Sequence, residues 1–390
     1  MINDTQRLQE LDLLRGFALF GMLFMNVQIF SFSLFAEELW ASTFSGSLNN
    51  AIMHSIFLLV AQRFIGIFSL LFGIGIAIQK QKFENNNISF TPYYLKRTLI
   101  LGIFGAINLV FFFWGDILLI YSILSIILLL FFRLSNTKLI ISAICVFLIP
   151  KLLLFNHGVV DLLVSSKDLM YNSYTPETII DTYQAGSFFE MTKARITEYL
   201  AFNLTEIIWL RTSLAFMIIG YVIGKNKLHQ NYLSHWNNLK KALFILTPLC
   251  LIYIIYNQYN FIIFRPEIYY VMLSDIFIIG SLTVYILFIL AIFKSNRIKI
   301  TISLISNIGK LSLSNYLMQQ IICAFIFHNY GLGLYFKTSP FHNVLIILSI
   351  YILQMILSNL YLKKYNIGPL EYLWRQLTKQ KLTSTIRKAG

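Results

Sequence analysis

The feature that most constrains this chain is its first long apolar run. From Leu13 to Phe35 nearly every side chain is apolar, and at 1.5 Å per residue a helix of that length can cross a hydrocarbon core of roughly 30 Å. A backbone in hydrocarbon must satisfy its own polar groups, so the run reads as a transmembrane helix. It exceeds a signal-peptide core of about 7 to 15 residues, carries Asp12 and Arg15, and is expected to be retained. Runs of comparable length recur at 52 to 79, 97 to 114, 116 to 133, 138 to 155, 201 to 224, 241 to 260, 268 to 293, 301 to 328 and 343 to 362. The expected fold is all-α, a polytopic membrane helix bundle of about ten transmembrane helices.

Charge supports that topology. Only 12% of the 390 residues are charged and 57% are hydrophobic, far from a soluble average of about 25% charged. The net charge of +14 resides in short segments between apolar runs, with 21 of the 31 basic residues on the side assigned to the cytoplasm. By the positive-inside rule both termini are cytoplasmic. Basic residues used in this way argue against nucleic acid as a partner and for membrane lipids. Cys145, Cys250 and Cys323 all lie within apolar runs, so no disulfide framework and no metal site is expected, nor any cofactor.

The organisation expected is a five-helix membrane segment at 1–155, an extracytoplasmic loop at 156–200, a second five-helix segment at 201–363 and a basic, amphipathic cytoplasmic tail at 364–390. The loop holds a short helix after Pro176 and an amphipathic piece leading to the next span. It could lie on the outer surface as a lid or serve as a plain connector. In the tail, Leu370, Leu373, Trp374 and Leu377 form an apolar stripe, with Glu371 and Arg375 placed to pair one turn apart.

Polar residues inside the spans are the candidate site, because such groups are costly there and mark function by default. Asp12 and Arg15 share a face, and Asn26 returns to nearly the same azimuth eleven residues on. Arg63 falls near mid-depth of the second span and needs a carboxylate, carbonyls or a water cavity. Arg211 and Asp275 lie at similar depths in the sixth and eighth spans, Glu206 near the start of the sixth, and Asp116 in the tight turn between the third and fourth. Isolated charges at comparable depth are least costly facing one cavity, and these groups would converge in the outer half if their helices are neighbours, with Arg63 and Asp275 as the pair to test. Asp116 reads either as a solvated turn residue or as a counter-ion for an arginine. His54, at the outer start of the second span, is the best-placed histidine for acid/base work. Gly66, Ser69 and Gly73 form a narrow face for close helix packing, and Asn315 and Gln319 share a face of the ninth span.

The chain also resembles a known family. LDLLRGFALFGMLFMN, RFIGIFSLLFGIGIAIQ, KRTLILGIFGAINLVFFFWGDILLIYSIL, NIGKLSLSNYLMQQII and GPLEYLWRQLT are similar, in that order, to the YeiB-type bacterial membrane proteins, grouped as domain of unknown function 418. The resemblance implies a multi-pass protein of the bacterial cytoplasmic membrane without an established activity. The LD-x-LRG opening distantly resembles that of transmembrane acyltransferases, which move acyl groups from a cytoplasmic donor such as acyl-CoA to envelope acceptors. In those proteins a histidine follows the first-helix arginine by eleven residues, where this chain has Asn26. The YeiB pattern also favours histidine where this chain has Asn108. Both departures weigh against histidine-based acyl transfer, because an amide is a poor proton acceptor.

Three readings stay open. In an acyltransferase, Arg15 would meet an anionic donor, acyl-CoA or an acyl-lipid. Asn26 and Arg63 would hold the reacting carbonyl or acceptor, and Asp275 or His54 would act as base. In a transporter of an anionic solute or lipid, Arg15, Asn26, Arg63, Asp116 and Arg211 would form the binding site. In a membrane scaffold the basic tail and outer loop would act instead.

Overall fold

The computed structural model describes residues 9–153, 174–205, 207–260 and 268–378, and every regular element among them is helical. The first half comprises α1 (Gln9–Ser31), α2 (Glu37–Thr43), α3 (Ser47–Leu59), α4 (Arg63–Glu84), α5 (Phe90–Phe111), α6 (Leu118–Leu128) and α7 (Asn136–Leu153). Next come α8 (Pro176–Ala185), α9 (Phe188–Thr205), α10 (Ile207–Lys225), α11 (Leu228–Asn231), α12 (Trp236–Asn260) and α13 (Ile268–Ser295). The last four are α14 (Lys299–Lys310), α15 (Ser312–Phe327), α16 (Pro340–Lys364) and α17 (Pro369–Thr378).

Among the described residues, six stretches are long and apolar enough to cross a membrane: α1, α3 with α4, α5, α11 with α12, α13, and α16. Apolar helices α6, α7 and α15 are shorter. This is an all-helical, apolar bundle with the make-up of a membrane protein. Glu206 and residues 156–173 of the expected outer loop fall outside the described residues, as do 379–390 of the expected tail.

Two expected spans are broken, each for a physical reason. The second divides at Val60 to Gln62, where Gln62 takes a left-handed backbone (φ +63°). A helix end in apolar surroundings leaves carbonyls without partners. Arg63 supplies the donors, with Nη1 at 2.5 Å from the Ala61 carbonyl and 3.4 Å from that of Phe57. The ninth divides at Leu311 between α14 and α15. There the Glu371 carboxylate accepts the Leu313 and Ser314 amides at 2.8 and 3.1 Å, and the Ser314 hydroxyl. An anion on those amides offsets the positive end of the helix dipole. The expected Glu371–Arg375 pairing is thereby corrected, since Glu371 turns towards the bundle. Trp374 helps anchor α17, donating to the Arg97 carbonyl at 3.0 Å beneath the Arg97 guanidinium, which lies 3.4 Å from the ring.

Packing centres on α1, which meets α4, α14, α15 and α16. The closest pair is α4 with α10. A Cβ on Gly73 would lie 2.1 Å from the Met217 carbonyl, and one on Gly220 would lie 2.0 Å from that of Leu70. Glycine at both positions is what lets the two backbones touch. Amide pairs join α15 and α16, with Gln319 to Gln354 at 2.8 Å and Asn315 to Ser358 at 2.9 Å. One end of the bundle gathers the loop contacts of Lys225, Asn136 and Arg97 and is called the basic face. At the opposite end α8, α9, the segment after α1 and the loop after α15 form a cap.

Candidate functional site: an apolar cleft closed by a buried ion pair

A cleft of about 990 Å³ lies between α7 and α10 on one side and α13 on the other, with α1 and α4 behind it. Its lining runs along α13 from Asp275 to Leu290, about 22 Å of helix. Ile144, Phe147, Phe216, Ile219, Ile279 and Ile286 are among the apolar side chains that form its walls. Polar side chains on the lining are confined to Glu10, His229 and Tyr232 at the basic end, Thr283 on one wall, and Asp275 at the far end. A volume at the top of the range of about 300 to 1,000 Å³ for ligand pockets, with polar groups only at its ends and on one wall, suits a long apolar group with a polar terminus.

The far end is closed by an ion pair. Arg211 Nη2 donates to both Asp275 oxygens, at 3.2 and 3.0 Å, and the side chains are only 3% and 10% exposed. Nη1 donates to the Phe147 carbonyl, and the guanidinium stands 4.5 Å from the Phe147 ring. One side chain therefore ties α7, α10 and α13 together. Bidentate bonding compensates part of the cost of removing both charges from water.

The other sequence candidates do not join this pair. Arg63 is committed to the carbonyls at the α3–α4 break, with Ser281 Oγ at 3.4 Å and the Phe277 ring 4.8 Å away. The Arg63–Asp275 pair singled out for testing does not form, because Arg211 occupies that carboxylate. Asp116 is fully buried and accepts from Asn108 Nδ2 at 2.7 Å, the Leu119 amide at 2.8 Å and Tyr316 at 3.4 Å. Its carboxylate thus caps α6 and locks the α5–α6 turn, and is neither solvated nor bonded to an arginine. Arg15 bonds Asp12 of its own helix at 2.8 Å. Asn26 is buried in α1, and its Nδ2 has no hydrogen-bond partner among the described residues. His54 is half-buried on α3, outside the cleft lining.

A second polar cluster, under the cap, was missed because its members are far apart in sequence. Glu198 of α9 accepts from Ser33 and Tyr183, and burial pushes its carboxyl up to about 7. Tyr183 stacks on Tyr335 and on His328, with ring centroids 4.6 and 5.3 Å apart. The one sequence signal was the pairing of acidic and basic residues within an amphipathic stretch of an otherwise apolar chain.

Among known proteins, the family described as "Protein of unknown function (DUF418)" matches residues 205–381. The chain is 27% identical to "Uncharacterized protein YxaH" of Bacillus subtilis (strain 168), covering 96% of this chain and 94% of that protein. It is 26% identical to "Uncharacterized 39.9 kDa protein in amylase 3'region" of Bacillus acidopullulyticus, with the same coverage. "Uncharacterized protein YeiB" of Escherichia coli (strain K12) is 30% identical over 95 residues, 24% of each chain. No solved structure matches at a significant level.

Proposed function

We propose that this chain, which belongs to the YeiB-type DUF418 family, is an acyltransferase of the bacterial cytoplasmic membrane that takes an acyl chain into the α7/α10/α13 cleft. The observation that carries the reading is the cleft itself, a 990 Å³ apolar space with a carboxylate at its deep end. The chain crosses the bilayer about ten times with both termini in the cytoplasm, a reading supported by the predominance of Lys and Arg in the segments on that side. The donor is an acyl-CoA or acyl-lipid, and the acceptor a lipid or envelope hydroxyl.

In the reaction, the acceptor oxygen attacks the acyl carbonyl carbon and forms the new ester, while the carbon–sulfur or carbon–oxygen bond to the donor breaks. The acceptor proton passes through Asp275 to the leaving group, and Arg211 holds Asp275 in position. Of the two base candidates, Asp275 faces the cleft and His54 does not.

Purified protein in nanodiscs with radiolabelled palmitoyl-CoA and an envelope lipid extract tests this. The reading expects a labelled ester product that Asp275→Asn lowers at least 100-fold without loss of folded protein. Label that binds reversibly with no covalent product would point instead to transport, and no binding at all would favour a scaffold.

A further inference from the structure

We propose that the cap encloses a binding site for one small inorganic anion, a halide of about chloride size, held by Arg195. The site shares no lining residue with the cleft and does not rest on the acyl-transfer reading.

Arg195 of α9 is fully buried. A guanidinium offers five N–H donors. Nη2 is used, donating to the Val110 carbonyl at 2.7 Å and to Thr192 Oγ1 at 2.8 Å, while Nε and Nη1 have no hydrogen-bond partner among the described residues. The side chain borders a small space of about 10 Å³, together with Phe30, Phe113, Tyr183, His328 and Tyr335. That volume suits a single small occupant. These walls come from the end of α1, the α5–α6 turn, α8 and the loop after α15, so the site exists only once the cap has assembled.

Charge favours an anion over water. A buried cation needs a counter-charge as well as acceptors, and Arg211 shows the usual solution in its carboxylate. No carboxylate among the described residues pairs with Arg195. Glu198 stands one turn further along α9, but its oxygens are engaged by Ser33 and Tyr183. Its carboxyl, pushed up to about 7 by burial, is partly protonated near neutrality. The other titratable groups near Glu198 are Tyr183, Tyr335 and Tyr174, all raised above their ordinary range and therefore neutral. Anion binding and protonation of Glu198 therefore assist each other, and affinity should rise as pH falls through about 7.

The test is thermal unfolding of the purified full-length protein, with sodium chloride exchanged for sodium gluconate at constant ionic strength between pH 6 and 8. The expected result is a saturable rise in Tm with chloride, with a midpoint concentration several-fold lower at pH 6 than at pH 8. Arg195→Gln should abolish the dependence. Glu198→Gln, which keeps Arg195, should bind chloride at pH 8 as tightly as the unmodified protein does at pH 6, and keeps the test decisive if Arg195→Gln fails to fold. A Tm indifferent to chloride, a chloride response that survives Arg195→Gln, or an unchanged midpoint at pH 8 in Glu198→Gln would each overturn the proposal.

Discussion

Among the described residues three arginines are buried, and each is accommodated differently. Arg211 meets a carboxylate on a neighbouring helix. Arg63 binds carbonyls released by a break in its own span. Arg195 is tethered to a carbonyl and a hydroxyl beneath the cap, with two nitrogens left over. The difference teaches that a buried charge marks a constraint whose kind depends on the partner: a bridge between helices for Arg211, a helix terminus for Arg63, and a ligand for Arg195. The cleft and the cap differ likewise, one nearly all hydrocarbon with polar ends, the other a compact aromatic and ionisable cluster.

The strongest way to break this comparison is at Arg211. Asp275→Ala leaves a buried guanidinium unpaired and should cost about 3 to 5 kcal/mol of stability. Adding Arg211→Ala should restore much of it, a coupling readable as unfolding midpoints of both single variants and the double in one detergent. Additive effects would mean that the pair does not form.

The cap offers a pH test of comparable size. Glu198 has its folded pKa raised to about 7 from an ordinary 4.5. For an acid with a raised folded pKa, the unfolded chain ionises first, so stability falls as pH rises from about 4.5 to 7 and is flat above. The loss amounts to about 3 kcal/mol at about 1.4 kcal/mol per pKa unit. Unfolding measured in gluconate across that window should show the slope, and Glu198→Gln should remove it.

A smaller effect is expected at Arg63. Arg63→Ala removes the side-chain donors to the Phe57 and Ala61 carbonyls and should cost about 2 kcal/mol. Combined with Asp275→Ala it should be additive within about 0.5 kcal/mol, and strong coupling would return Arg63 to the cleft. The smallest effect is at the tail, where Glu371→Gln weakens a charged helix cap by about 1 kcal/mol. A protease assay should then show α17 released sooner, whereas unchanged release would assign its docking to Trp374 and Arg97 alone.

Much of the helical architecture was legible, because a long apolar run in a chain this poor in charge has few alternatives to a membrane helix. Close packing at Gly73 and amide bonding at Gln319 were legible for the same reason, small or polar residues at helical spacing. The breaks were not. Nothing in RFIGIFSLL announces that Arg63 ends one helix and starts another, because the cause is a guanidinium folding back on carbonyls. Depth placed Arg63, Arg211 and Asp275 in one layer, but depth says nothing about azimuth, which decided that Arg211 and not Arg63 meets Asp275. The cap cluster draws Ser33, Tyr183, Glu198, His328 and Tyr335 from separate parts of the chain, so no local pattern could reveal it.

The central claim, that the α7/α10/α13 cleft receives an acyl chain, is tested most directly by photolabelling the protein in nanodiscs with a diazirine-bearing fatty acyl probe and mapping the labelled peptides. The outward surface of α12, with Phe244, Ile245 and Ile252 largely exposed, serves as the internal control for bulk lipid. The account predicts saturable labelling on the cleft face of α13 around Ile279 and Ile286, competed by unlabelled palmitoyl-CoA and lost when Ile279→Trp fills the space. Labelling spread evenly over α12 and α13, with no competition and no loss in Ile279→Trp, would contradict it.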